Sequence, residues 1–216
     1  MVRLGSVTDG GKWACNPWRL KTKRDCIIYS FGINLDTSFE DAVTEITGNN
    51  CKIYAFDAKK EYGGSFERKS NVAFFAYNVS SYTNAETNHF TIPDIMRKFG
   101  HRSVDILKID VDGGEYEAVP LALASSDKPV ACQILSELHA FKFSEYTAEF
   151  GRWKDLLRKH SAAGYLLFSK EPNMWGWGTV YEYAHIHTSC LEFYGLSPDF
   201  IIHRNYPSTR MIDAPE

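Results

Sequence analysis

Short apolar runs alternate along this chain with stretches whose apolar residues return every three or four positions. Cys26–Phe31, Cys51–Phe56, Asn71–Tyr77, Val104–Ile109 and Pro129–Leu138 have strand length and are rich in Ile, Val, Tyr and Phe. Helical periods lie between them. Ser38 is placed to cap a helix whose apolar face is Phe39, Ala42, Val43 and Ile46, ending near Thr47. Thr91 caps a second helix over Thr91–Phe99, with Pro93 tolerated in its first turn. Glu115–Ser125 forms a third, shortened or kinked by Pro120. Phe143–Ala163 holds the longest period, through Tyr146, Phe150, Trp153, Leu156 and Leu157, with Gly164 as its C-terminal cap. Tyr165–Phe168 and Thr179–His187 close the pattern, and alternation in the last run suits a strand added antiparallel through a hairpin.

Strands that alternate with helices imply right-handed crossovers and a parallel sheet covered on both faces. The expected fold class is α/β: a doubly wound, mostly parallel seven-stranded sheet with a C-terminal antiparallel hairpin. One domain over residues 26–190 holds it, with a lead-in segment over 1–25 and a tail over 191–216. Trp13, Trp18 and Leu20 of the lead-in are expected to cover one sheet edge.

A chain of 216 residues, 44% hydrophobic and 24% charged, has the profile of a globular protein with one sizeable core. Its net charge of −3 offers no basic surface for a nucleic-acid backbone, so nucleic acid is not expected as a partner. No run approaches the roughly 20 apolar residues of a membrane span, and no membrane partner is expected. The N-terminus lacks an apolar signal core, so the expected location is the cytoplasm, or a lumen if a longer precursor exists. Five cysteines without CxxC spacing argue against a zinc knuckle or a redox pair. Cys26, Cys51 and Cys132 read as buried thiols, with a Cys15–Cys26 bridge as the luminal alternative. Asn78-Val79-Ser80 is the sole glycosylation sequon and falls at a strand end, where a glycan would obstruct the cleft.

Candidate chemistry gathers where the strands end. Asp105-Ile-Leu-Lys-Ile-Asp-Val-Asp-Gly-Gly-Glu115 carries an apolar strand into a carboxylate-rich turn and a helix, and open α/β sheets bind ligands at that edge. In the first turn, Tyr29-Ser30-Phe31-Gly32-Ile33-Asn34, a single glycine allows close backbone approach. The full GxGxxG cradle is absent, which disfavours NAD and FAD. Asp57, ending the second strand, is placed to accept hydrogen bonds from a ribose diol. With strand order 3-2-1-4-5, Asp110, Glu137 and His139 converge beside this nucleoside site, since period two puts Glu137 and His139 on one side. That trio can remove a hydroxyl proton, with His139 as base, or hold a divalent ion; base catalysis without metal is the leading expectation. His185 and His187 are expected to face solvent or the outer sheet face and are not taken as ligands. The Trp175-Gly-Trp177 loop is an aromatic lid or a plug of the sheet edge.

Cys26-Ile-Ile-Tyr-Ser-Phe-Gly-Ile-Asn34, Ile53-Tyr-Ala-Phe-Asp57, the Lys108–Glu115 motif and Glu137-Leu-His139 together resemble FkbM-like S-adenosylmethionine-dependent methyltransferases, the nearest subgroup being animal proteins with a YSFG first motif. Gly10-Gly11-Lys12-Trp13, with Cys15 and Arg19-Leu20, is similar to that subgroup's lead-in. The resemblance implies a class I methyltransferase fold with S-adenosyl-L-methionine as cofactor and O-methylation of a small-molecule or sugar hydroxyl. It implies that Tyr29, Ser30, Phe31, Gly32 and Asn34 lie against the methionine and ribose and that Asp57 holds the ribose hydroxyls. Asn78 then approaches the adenine and Asp110 borders the transfer site. Asp112 stands where that family usually has glutamate, and Gly32 is the single remaining glycine of its first motif. Two rival classes are a non-catalytic relative that binds a partner, and a metal-dependent hydrolase using Asp110, Asp112, Glu115, Glu137 and His139. Oligomeric state is not legible.

Overall fold

The computed structural model describes residues 1–7, 9–67, 69–139, 146–173 and 180–197, giving the backbone alone for 146–150. The expected lid or plug at Trp175–Trp177 and most of the tail lie outside the described residues. In chain order the elements are β1 (Val2–Leu4), β2 (Lys12–Ala14), β3 (Ile27–Phe31), α1 (Ser38–Thr47), β4 (Lys52–Phe56) and β5 (Val72–Phe75). There follow β6 (Asn78–Val79), β7 (His89–Phe90), α2 (Ile92–Phe99), β8 (Val104–Ile109), α3 (Glu115–Ala124) and β9 (Ala131–His139). Last come α4 (Tyr146–Ala162), β10 (Tyr165–Pro172) and β11 (Val180–His187).

Seven strands form one sheet in the order β10-β11-β9-β8-β3-β4-β5. Neighbours from β9 to β5 run parallel, and β11 lies antiparallel between β9 and β10. The expected doubly wound sheet with its terminal hairpin is thus the observed one. Two short pairs were not expected: β1 with β2, antiparallel, and β6 with β7, parallel.

The sheet is covered on both faces because its central strands are apolar on both. Ile92, Ile95 and Met96 of α2, Ala118, Val119 and Ala122 of α3, and Leu156 of α4 form one core with Tyr29, Phe31 and Leu107. Phe39 and Val43 of α1 join Leu4, Ala14 and Leu20 from the lead-in on the opposite face, with Leu191 and Tyr194. Trp18 is 47% exposed, so of the expected edge cover Leu20 takes part and Trp18 does not. α1 is preceded by Thr37 as its capping position, not Ser38, whose Oγ instead accepts from the Ser6 backbone N–H at 2.8 Å. Thr91 caps α2 as expected, accepting from the Asp94 N–H at 3.2 Å.

The cysteine reading needs correction. Cys26 is bridged to Cys51 and Cys132 to Cys190, leaving Cys15 as a buried thiol. Parallel pairing of Ile27 with Lys52 brings the residues just before them side by side, with Cα atoms 4.5 Å apart. The expected location of His185 also fails: at 2% exposure it lies under α4, stacked on His160 at 4.3 Å. The even positions of β11 face the lead-in, and its odd ones the helices.

Two outcomes follow from these buried groups. The bridges close spans of 25 and 58 residues, so losing either should cost about 3–4 kcal/mol by chain entropy. Peptide mapping without reductant should recover both linked pairs, and alkylation of all five cysteines in the native oxidised protein would overturn the pairing. Burial depresses His160 to about 4 and, together with the neighbouring His160, His185 well below its usual value. Both are therefore neutral when folded and protonate near 6.5 when unfolded. Stability is full above that value and falls as pH drops toward 4. Denaturant titrations should show a loss of about 2 kcal/mol from His160 alone between pH 7 and pH 5, absent in His160→Leu.

Candidate active site at the carboxyl edge of the sheet

A cleft of about 360 Å³ opens where β3, β4, β8 and β9 end. Its wall is built from Phe31–Asn34, Phe56–Lys59, Tyr77–Val79 and Asp110–Asp112, with Glu137 and His139 at one end and Asp9 and Gly10 at the mouth. Phe31 and Phe56 stack at 4.6 Å beneath it.

Gly32 has a left-handed φ of +80°, and a Cβ there would lie 1.6 Å from the Asp110 carbonyl oxygen. The glycine is thus required for the close packing of the β3 and β8 ends, whatever ligand sits above. Lys108 donates to the Gly32 carbonyl and is itself buried. Asp57 draws the turn around the cleft: its Oδ2 accepts from the Ile33 N–H at 2.9 Å and the Asn34 N–H at 3.3 Å. Its Oδ1 accepts from the Lys59 N–H at 3.0 Å. A carboxylate has about four acceptor sites, so one remains on Oδ1 for a hydroxyl donor.

Of the residues expected around a nucleoside, Phe31, Gly32, Asn34, Asp57, Asn78 and Asp110 line the cleft. Tyr29 and Ser30 do not. Tyr29 is fully buried with its hydroxyl against His101 Nδ1 at 2.7 Å, and Ser30 donates to the buried Glu40 at 2.5 Å. Period two along β3 sends these side chains into the two core faces.

The other end of the cleft is an acid–base cluster. Glu115, fully buried at the start of α3, accepts from the Gly113 N–H at 2.9 Å through Oε2. Its Oε1 accepts from His139 Nδ1 and from the His139 backbone N–H, each at 3.0 Å. Left-handed φ values at Asp112 (52°) and Gly113 (97°) bend the chain so that this carboxylate reaches β9. With Nδ1 so held, His139 Nε2 faces Glu137 Oε1 at 3.3 Å and Asp110 Oδ1 and Asp112 Oδ1, both at 3.8 Å. Burial lowers the proton affinity of His139, but the hydrogen bonds to Glu115 and Glu137 and the surrounding charge outweigh it, raising its pKa to about 10.

Sequence reasoning missed the cation of the site. Lys12, on β2 and 1% exposed, sets its ammonium 2.9 Å from Glu137 Oε2, 2.9 Å from Glu182 Oε1 and 3.1 Å from Asp110 Oδ2. Burial alone would strip its proton; the three carboxylates hold it in place and keep the amine charged. Glu182 lies beside Glu137 in register. Burial, and the Glu137 charge against the pull of Lys12, push Glu182 up to about 9, while His139 and Lys12 overcome the burial of Glu137 and hold it well below the usual range. Asn173 at the end of the hairpin donates to Glu137 Oε1 at 3.2 Å and to Asp9 Oδ1 at 3.0 Å. Glu182 shares its side of β11 with the apolar Ala184 and Ile186, and a lone carboxylate on that side is the signal that it has a buried partner.

The sequence matches the family described as "Methyltransferase domain" over residues 1–187. No curated protein matches it. Among solved structures it is similar to a Methanococcus jannaschii fibrillarin pre-rRNA processing protein, at 12% identity and TM-score 0.55, covering 82% of this chain and 70% of that one. It is similar to Aeropyrum pernix fibrillarin with natively bound S-adenosyl-L-methionine, at 14% identity and TM-score 0.52, covering 77% and 68%. A putative rRNA-methylase from Clostridium thermocellum matches at 9% identity and TM-score 0.50, covering 77% and 90%. At these identities the likeness is one of fold. The expectation that nucleic acid is excluded as a partner is overturned, since proteins named for rRNA share this architecture. Among the described residues no helix is long and apolar enough to cross a membrane.

Removing the Lys12 ammonium should expose how much the cluster depends on it. Lys12→Met leaves buried carboxylates without their counter-charge and should cost about 3–5 kcal/mol of stability. Adding Glu182→Gln should recover part of that loss in the same denaturation assay.

Proposed function

The chain belongs to the methyltransferase-domain family, and on that premise we propose that it transfers a methyl group from S-adenosyl-L-methionine to a hydroxyl oxygen of an acceptor bound at the Asp110–Glu137–His139 end of the cleft. The single observation that carries this reading is the cleft itself. It joins Asp57, at one end of the strand row, to the acid–base trio at the other. The cofactor, when bound, supplies an electrophilic methyl on a positively charged sulfur.

The residues present suit that group. Asp57 keeps one acceptor site for a ribose hydroxyl, and Phe56, Tyr77 and Val79 supply apolar wall for an adenine ring. The carboxylates of Asp110 and Glu137 favour a cationic ligand. Aligning the acceptor oxygen with methyl carbon and sulfur is the largest task. With the cofactor held there, the trio's end of the cleft would present the acceptor oxygen to the methyl carbon, which would pass to oxygen while the electron pair of the broken bond stayed with sulfur. The hydroxyl proton would pass to the carboxylate of Asp110, whose proton affinity is raised by burial.

The hydroxyl acceptor rests on the likeness of Lys108–Glu115 and Glu137–His139 to FkbM-like enzymes. A small molecule or a sugar fits that chemistry, and a ribose hydroxyl of RNA is a sugar hydroxyl too, so RNA belongs in the same screen. Titration calorimetry should show S-adenosylhomocysteine binding to the wild type, weakened about tenfold or more by Asp57→Ala. Label from S-adenosylmethionine should reach an acceptor, and His139→Ala should slow that transfer about 10²-fold or more while still binding S-adenosylhomocysteine. No binding of either cofactor form by the folded protein would overturn the proposal.

A further inference from the structure

We propose that Asp110 Oδ1, Glu137 Oε1 and His139 Nε2 hold one divalent cation at the acceptor end of the cleft. What such a cation would do rests on the methyl-transfer reading; that it binds does not. The three donor atoms lie within 4.8 Å of one another and belong to the ends of two adjacent parallel strands, β8 and β9. Two carboxylate oxygens and an imidazole nitrogen form a donor set that suits divalent metals.

The imidazole is arranged as a ligand would be. Its Nδ1 donates to Glu115 Oε1 at 3.0 Å, and Glu115 is fully buried and pinned through its other oxygen to the Gly113 N–H. A carboxylate behind a histidine fixes the tautomer that presents Nε2 and raises its basicity, the usual support of a metal-bound histidine. Nε2 then faces oxygens at 3.3 Å (Glu137) and 3.8 Å (Asp110), with Asp112 Oδ1 also at 3.8 Å from the solvent side. Metal bonds of about 2.0–2.2 Å place neighbouring donors roughly 3 Å apart, so the two imidazole–oxygen separations need to close by less than an ångström. Asn173 already steadies Glu137 Oε1 from the far side.

A second observation points the same way. Five carboxylates (Asp110, Asp112, Glu115, Glu137 and Glu182) surround this corner, and Lys12 is the ammonium in contact with three of them. A divalent ion bound there would take the place of the His139 Nε2 proton and share these carboxylates with Lys12. Open positions on that ion would face the cleft, where an acceptor hydroxyl could coordinate and become more acidic. His139 then serves as a ligand, and an acceptor so coordinated needs no strong protein base.

Mn²⁺ titrated into the full chain at neutral pH, followed by the paramagnetic signal of unbound Mn²⁺, should show one ion bound per chain. Glu137→Gln should weaken binding more than tenfold, and Glu115→Gln, which touches no ion, about 10- to 100-fold. Asp41→Asn, on the exposed side of α1, should leave it unchanged. Thermal melts of each variant separate lost ligation from lost folding. Wild-type protein that binds S-adenosylhomocysteine but no Mn²⁺ would overturn the cation site and leave the transferase reading intact. The reverse result would sustain the site and remove the transferase reading. Equal Mn²⁺ affinity in wild type and Glu137→Gln would also overturn it.

Discussion

Everything at the functional edge depends on one buried ammonium. Lys12 contacts carboxylates from the end of β8, from β9 and from β11, with Nζ–oxygen distances of 2.9–3.1 Å. Without it, Glu137 and its neighbours Asp110 and Glu182 would lose the counter-charge they share where the strand ends converge. The lead-in segment is therefore part of the site's electrostatics and not merely a cover for the sheet. Asp9 and Asn173 extend the same link to the mouth of the cleft.

Much of this architecture was legible in the chain because it is encoded locally. β8 runs over Val104–Ile109, the bounds its apolar pattern indicates, and the strand order places Asp57, Asp110, Glu137 and His139 on one edge as alternation implies. What escaped is non-local. Lys12 meets partners 98 to 170 residues away, and no periodicity announces such a pairing. Cys26 and Cys51 did carry a signal, since each immediately precedes a strand of an adjacent parallel pair, but adjacency is known only once the order is known. Ser30 and Tyr29 were assigned to the cleft because their turn faces it; the pleat turns their side chains elsewhere.

The Asp110–Glu115 turn shows how few residues serve several ends at once. Asp110 meets Lys12 through one oxygen and His139 through the other. Gly113 gives the bend that lets Glu115 start a helix and still reach back to the imidazole. Gly32 clears the Asp110 carbonyl, so the first and fourth strands of the classical order end flush. A substitution in this turn would disturb packing and chemistry together.

The separation between Lys12 and its counter-charges also governs when the site can exist during synthesis. Lys12 is made 125 positions before Glu137 and 170 positions before Glu182. At about 5–20 residues per second, the nascent amine waits in water for several seconds or more before its partners emerge. A half-made chain can form β3, β4 and their crossover helix, but it carries no finished pocket. The three-carboxylate cradle of Lys12 is therefore complete only once β11, which carries Glu182, has been made.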